Sequence, residues 1–141
     1  MTTGEIDLIP TFKSKFELEV YNILKSQYKN VTYEEDSFTY FQPVIQRTYT
    51  PDFRTCKARQ VYLEVKGKLD LDTRKKMIWF RECHPEVIII FLFMNPTNKI
   101  TKRSKTTYSD WANKQGFLWL DGRKDWLKEY TEILKSENPT T

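Results

Sequence analysis

The chain has 141 residues, 39% hydrophobic and 15% aromatic, enough for one packed core and too little for two, so a single domain over residues 1–141 is expected. The longest apolar run, Val87 to Met94, is too short to span a bilayer, and Met1 to Pro10 lacks the basic start and apolar stretch of a signal peptide, so a soluble, cytoplasmic protein with no membrane partner is expected. Net charge is only +4 with a pI near 9.0, and Cys56 and Cys83 lack CxxC spacing, which leaves two reduced thiols rather than a zinc site or a disulfide framework.

Residues 1–11 read as a loose arm. Ser14 is placed to cap a helix to about Tyr28, with Phe16, Val20, Ile23 and Leu24 at helical spacing. Val31 to Phe41, partly alternating and rich in Tyr, Phe and Thr, predicts a strand, interrupted by Pro43. Gln46 to Phe53 and Gln60 to Lys66 predict two more strands, joined by a short basic loop. Gly67 ends the third, Asp70 or Asp72 caps a helix from about Thr73 to Cys83, and Pro85 stops it. Val87 to Met94 is continuously apolar, the pattern of a strand buried on both faces. A loop over 95–107 is followed by a short helix, Tyr108 to Gln115, closed by Gly116. A last strand over Phe117 to Leu120 and an amphipathic helix from Lys124 to Lys135 complete the chain. The early meander implies antiparallel pairing and the later strand–helix–strand a parallel crossover, giving an α/β fold with a mixed sheet flanked by helices.

The charge distribution says more than its sum. Lys99, Lys102, Arg103 and Lys105 occupy a loop with no acid, and Arg47, Arg54, Lys57 and Arg59 surround Asp52. The first, the loop, is a candidate for phosphate contact, although a solvated loop would show the same composition. Asp125 to Glu137 carries balancing acids.

Glu64 and Lys66, two apart on a strand, leave it on the same face, while Val61, Leu63 and Val65 point to the other. Alone, that pair could be a solvated edge. Asp52 after Pro51 alters the reading, because a hairpin sets neighbouring strands about 5 Å apart and can bring Asp52 beside Glu64. Two carboxylates that close repel unless a cation lies between them, and oxygen ligands without His or Cys favour a hard ion such as Mg²⁺ or Mn²⁺. On a helical projection Glu17 falls inside the apolar arc near Val20, Tyr21 and Leu24, where an unpaired charge is costly. It either bends outward to water or takes part in the site, with Glu19 as the alternative if the projection is rotated. His84, at a helix end before Pro85, fits a favourable dipole contact better than acid–base chemistry.

Pro51-Asp52 followed by Glu64-Val65-Lys66 resembles the PD…(D/E)xK pattern of restriction-endonuclease-like nucleases. Phe12-Lys13-Ser14 leading to Glu17, Thr48-Tyr49-Thr50-Pro51-Asp52-Phe53, Glu64-Val65-Lys66-Gly67, Arg74-Lys75-Lys76 and Arg81-Glu82-Cys83-His84-Pro85-Glu86 together resemble the endonuclease I family of the T-odd phages, over about Phe12 to Gly116. That family resolves four-way (Holliday) DNA junctions. The resemblance implies a restriction-endonuclease-like core, Glu17, Asp52 and Glu64 as active-site acids, and Lys66 as the catalytic lysine. It implies two Mg²⁺ (or Mn²⁺) ions per site: Asp52 shared, Glu64 and the Val65 carbonyl on one, Glu17 on the other. With the basic clusters it marks Lys13, Lys15, Arg54, Lys68, Arg74, Lys75, Lys99, Lys102, Arg103 and Lys105 for DNA contact. It also implies a homodimer that exchanges an N-terminal segment, residues 12–45, crossing over around Phe41 to Gln46, inside a bacterial host cell. The expected function is metal-dependent hydrolysis at branched DNA. A nuclease of the same fold acting on duplex or damaged DNA, and a junction-binding protein without catalysis, are the alternatives.

Overall fold

The structure, a computed structural model, describes residues 10–42 and 45–136. In chain order the elements are α1 (Lys15–Lys25), β1 (Thr32–Tyr33), β2 (Phe38–Gln42), β3 (Ile45–Tyr49), β4 (Phe53–Arg54), β5 (Val61–Lys66), α2 (Leu71–Cys83), β6 (Ile88–Phe93), α3 (Tyr108–Gln115), β7 (Leu118–Asp121) and α4 (Leu127–Lys135). Five strands form a sheet in the order β1-β4-β5-β6-β7, and β2 with β3 forms a separate antiparallel ribbon. Pairing is antiparallel from β1 through β4 to β5, and parallel from β5 through β6 to β7. The mixed sheet is therefore the expected one.

The helix caps follow their sequence signals. Ser14 accepts the Glu17 N–H, Asp70 accepts the Thr73 N–H, and Thr107 forms a capping box with Asp110. Gly116 closes α3 in the left-handed region at φ 81°, where only glycine is free of Cβ strain. Helix α1 ends at Lys25, short of Tyr28, and α4 begins at Leu127 rather than Lys124.

Two expected strands are not single strands. Val31 to Phe41 breaks into β1 and β2, because Glu34 adopts φ 50° and turns the chain out of the main sheet into the ribbon. Gln46 to Phe53 likewise belongs to β3 and β4 in different sheets, with Pro51 and Asp52 between them. Proline has no N–H to extend a ladder, which gives the break its physical cause. The expected interruption at Pro43, and residues 1–9 of the arm, lie outside the described residues.

Helices cover both faces of the sheet. On one, Tyr62, Ile89, Phe91 and Phe93 pack with Met77 and Phe80 of α2, Trp111 of α3, and Tyr40 and Tyr49 of the ribbon. On the other, Val61, Leu63, Val65, Ile90 and Leu92 pack with Val20 and Leu24 of α1 and with Trp126 and Tyr130 of α4. Alternation along β5 thus sends Tyr62, Glu64 and Lys66 toward α2 and the ribbon, and Val61, Leu63 and Val65 toward α1 and α4. His84 caps α2 and does more than face a dipole: its Nε2 donates to the Thr39 carbonyl and its ring lies by Phe38 and Phe80, fastening the ribbon to the helix.

Candidate active site

Glu17, Asp52 and Glu64 are the buried charged residues among those described. Each comes from a different element, and each is placed by a local rule of the chain. Glu17 is the third residue of α1. Its N–H is taken by the cap Ser14, and its Oε1 reaches back to the Lys13 N–H at 2.8 Å, a variant of the capping box. The Tyr33 hydroxyl donates to the same oxygen at 2.7 Å. Burial, then that bond to an acceptor carboxylate, holds the Tyr33 phenol above its ordinary value. Glu19, the alternative on the same helix, is exposed.

Asp52 sits where the β4 ladder stops. Phe53 pairs with Leu63, and beyond that point Pro51 can offer no donor. The Asp52 side chain takes over: Oδ2 accepts the Val65 N–H at 2.8 Å, and the Asp52 N–H donates to Glu64 Oε1 at 3.3 Å. A residue's N–H and C=O leave a strand on the same side, so the Val65 carbonyl faces the same opening, opposite Pro51. The neighbouring Lys66 carbonyl, one residue on, accepts from Met94 on the β6 side. Burial, and then the charge of Glu64, pushes the Asp52 carboxyl up to about 8.

Glu64 is held from two directions. The buried Tyr49 hydroxyl donates to its Oε1 at 2.7 Å, and Lys66 Nζ lies 3.1 Å from its Oε2. Burial and the adjacent Glu64 raise the Tyr49 phenol well above its ordinary value, so it remains a donor. Lys66 is itself mostly covered.

One residue of this cluster escaped the sequence reading. Glu34 directs a carboxylate oxygen to the same place, so that Glu17, Glu34 and Asp52 each offer an oxygen within 4.8 Å of the other two. Its N–H donates to the Asp52 carbonyl at 2.7 Å, and its Oε2 lies 2.7 Å from Lys13 Nζ. A non-glycine residue at φ 50° costs about 1–2 kcal/mol, and here the turn aims the side chain at Asp52. The signal available was the run Glu34-Glu35-Asp36 inside an otherwise alternating stretch, which is weak.

The donor set fits a hard divalent cation. It contains only oxygens. The protein leaves part of this set free: among the described residues nothing donates to Glu17 Oε2 or Asp52 Oδ1, while Glu34 Oε2 lies against Lys13 Nζ. Glu64 stands beside Asp52 but outside that oxygen triplet.

The expected DNA-contact residues divide. Lys15, Lys68 and Lys75 are exposed, and Lys13 is exposed while paired with Glu34. Arg74 is half-buried, its Nε donating to the Asp70 carbonyl. Lys99, Lys102, Arg103 and Lys105 are exposed on a loop with a bridge between Lys99 and Thr107. That loop leaves the sheet after β6, and Phe93 at its root pairs with Lys66, so it rises from the same edge as the site. Arg54 is committed inward: its guanidinium binds Asp36 at 2.8 Å and the carbonyls of Cys56, Lys57 and Arg59. Arg54 is therefore a structural anchor for the turn after β4.

An acid at a broken strand edge, a Glu-x-Lys pair on the next strand, and a mixed sheet with helices on both faces define the restriction-endonuclease-like class. Comparison with known proteins narrows it. The family model for phage endonuclease I matches residues 2–139. The chain is 34% identical over 123 residues to endonuclease I of Escherichia phage T7, covering 86% of this chain and 81% of that protein. It is 36% identical over 110 residues to endodeoxyribonuclease 1 of Enterobacteria phage T3, covering 78% and 71% respectively. The chain belongs to the phage endonuclease I family and is an endonuclease.

Proposed function

We propose that this protein cuts DNA at four-way and other branched junctions by metal-dependent phosphodiester hydrolysis, with Glu17, Asp52, Glu64 and Lys66 as its catalytic residues. The observation that carries the reading is the convergence of those side chains on the open edge of β5 in a chain of this family. Two divalent ions, Mg²⁺ or Mn²⁺, would supply an activated water and charge neutralisation at the phosphate. Asp52 and Glu17, with Glu34, would hold one; Asp52, Glu64 and the Val65 carbonyl would hold the other.

The chain's own groups do the positioning. Tyr49 fixes Glu64 through Oε1, and Tyr33 with the Lys13 amide fixes Glu17 through Oε1, which leaves Glu17 Oε2 without a donor among the described residues and Glu64 Oε2 beside Lys66. The Val65 amide fixes Asp52 in the same way. Lys66, poised on Glu64 Oε2, offers an ammonium to the negative charge that develops on the phosphate oxygens. Lys15, Lys68, Arg74, Lys75 and the loop carrying Lys99, Lys102, Arg103 and Lys105 provide backbone contacts, and Arg54 drops out of that set.

A four-way junction is two-fold symmetric, so paired cuts call for two sites and hence a homodimer. In one chain Glu17 already meets Asp52; exchange of residues 12–45 between two copies, with the crossover near Phe41 to Gln46, would rebuild the same contacts across subunits. The arm and this segment belong to one nuclease domain acting inside the bacterial host cell.

The test is Mg²⁺-dependent cleavage of a labelled four-way junction beside a linear duplex of the same arm sequence. Paired nicks in the junction with the duplex intact support resolution. Equal cutting of both removes junction selectivity and leaves a duplex nuclease. Tight junction binding with no product under any divalent metal replaces the enzyme by a binding protein.

A further inference from the structure

Next to the acidic cluster lies a feature of opposite sign. A cavity of about 400 Å³ opens between the β2–β3 ribbon and α2. Arg47 of β3 and Lys75 and Lys76 of α2 line it, Tyr40 and Trp79 form an aromatic wall, and Asp72 is the acid among its lining residues. Among the described residues none of these three cations forms an ion pair. Three positive side chains facing one carboxylate, with no partner assigned, make a place for an anion.

The cavity shares a wall with the site. Lys76 Nζ stands 5.2 Å from the centre of the Tyr49 ring, and the hydroxyl of that ring holds Glu64 at 2.7 Å. Lys76 is half-buried, and burial followed by repulsion from Lys66 lowers it from the ordinary lysine value. An anion in the cavity relieves both costs. A DNA strand carries a phosphate at every nucleotide, so a strand held over Glu64 has neighbouring charges to offer this wall.

We propose that the cavity seats the phosphodiester next to the one being cut, with Arg47 and Lys76 on its oxygens and the adjoining sugar and base against Trp79. A planar guanidinium binds phosphate oxygens in pairs, and an indole offers the face on which a base stacks. The assignment rests on the reading of the protein as a DNA nuclease and adds a seat that fixes the strand's register over Lys66.

The experiment uses the intact protein in EDTA, titrated with four-way junctions that carry a single uncharged methylphosphonate at each linkage flanking the cut in turn. Neutralising one flanking linkage is expected to weaken wild-type binding about tenfold, the size of one charge-assisted contact. Arg47→Ala, at an exposed position, and Lys76→Met are each expected to weaken binding of the all-phosphate junction to a similar degree with an unchanged melting temperature. In either variant the same methylphosphonate then costs less than it costs the wild type, and in the double variant it costs nothing further. A full additional loss at that linkage in Arg47→Ala, or no sensitive flanking linkage in the wild type, overturns the assignment while the nuclease reading stands. Failure of the wild type to bind the all-phosphate junction at low salt removes the nuclease reading itself.

Discussion

Asp52→Asn separates the charge of the site from its shape. The variant keeps an oxygen to accept the Val65 N–H, now at 2.8 Å, and can donate from its amide toward Glu64. Burial, and then Glu64, holds the Asp52 carboxyl at about 8 against an ordinary 3.8. Each tenfold change in proton affinity corresponds to about 1.4 kcal/mol, so ionisation costs the fold several kcal/mol at most, and relaxation of the surroundings leaves roughly 2–4 kcal/mol. The unfolded carboxyl titrates near 3.8 and the folded one near 8, so between those pH values the native state keeps a proton that the unfolded state has shed. Wild-type stability therefore falls as pH rises through that window, and the full penalty stands above it. Metal-free Asp52→Asn escapes the penalty. At about 3 °C per kcal/mol for a chain of this length, it should melt on the order of 10 °C above the wild type near about pH 8.5 and almost level with it near about pH 4. Melts followed by circular dichroism in EDTA read this directly. Added Mn²⁺ should raise the wild-type midpoint by mass action and leave the variant unmoved. A gap of equal size at both pH values, or no gap at either, would refute the electrostatic account of Asp52.

Tyr49→Phe removes the hydroxyl that fixes Glu64 and keeps the buried ring; Mn²⁺ affinity measured by calorimetry should fall about tenfold or more, and unchanged affinity would show that Glu64 needs no such support. Glu34→Gln takes one charge from the oxygen triplet and should weaken Mn²⁺ binding about tenfold in the same assay; a wild-type isotherm would remove Glu34 from the set. Lys66→Ala should abolish junction cleavage, a loss of at least about a hundredfold, with junction affinity in EDTA close to wild type. Retained cleavage would exclude Lys66 from the chemistry.

How much of this could be read from the chain depends on how local the cause is. Glu64 and Lys66 share a face because side chains alternate along any strand, and the structure keeps them 3.1 Å apart. Glu17 stood out because a helical projection puts a carboxylate among Val20 and Leu24, and it is buried there. The caps at Ser14, Asp70 and Thr107 and the stop at Gly116 are likewise local. The ribbon was not legible. Alternation across Val31 to Phe41 says which side chains share a face but not which strand supplies the partner, and the break at Glu34 uses a left-handed residue where no glycine or asparagine advertises one. The inward engagement of Arg54 was not legible for a related reason: its ion pair with Asp36 joins two elements whose adjacency only the tertiary fold creates.

The site is also where the fold departs from its own economy. Three carboxylates are buried at the edge of a sheet otherwise packed with Leu, Ile, Val and Phe, and apolar side chains there would make a more stable metal-free protein. The donors that hold the acids limit the cost without cancelling it, since each supports one oxygen and leaves the repulsion between the carboxylates standing. Pro51 and the turn at Glu34 act in the same sense: one ends a ladder that would cover Asp52, the other folds the chain so that Glu34 adds to the charge. A polypeptide that needed only stability would close that edge with strand. This one ends the strand two residues long and leaves the opening, so the elements least explained by packing are those that the proposed meeting of a cation and a phosphate would require.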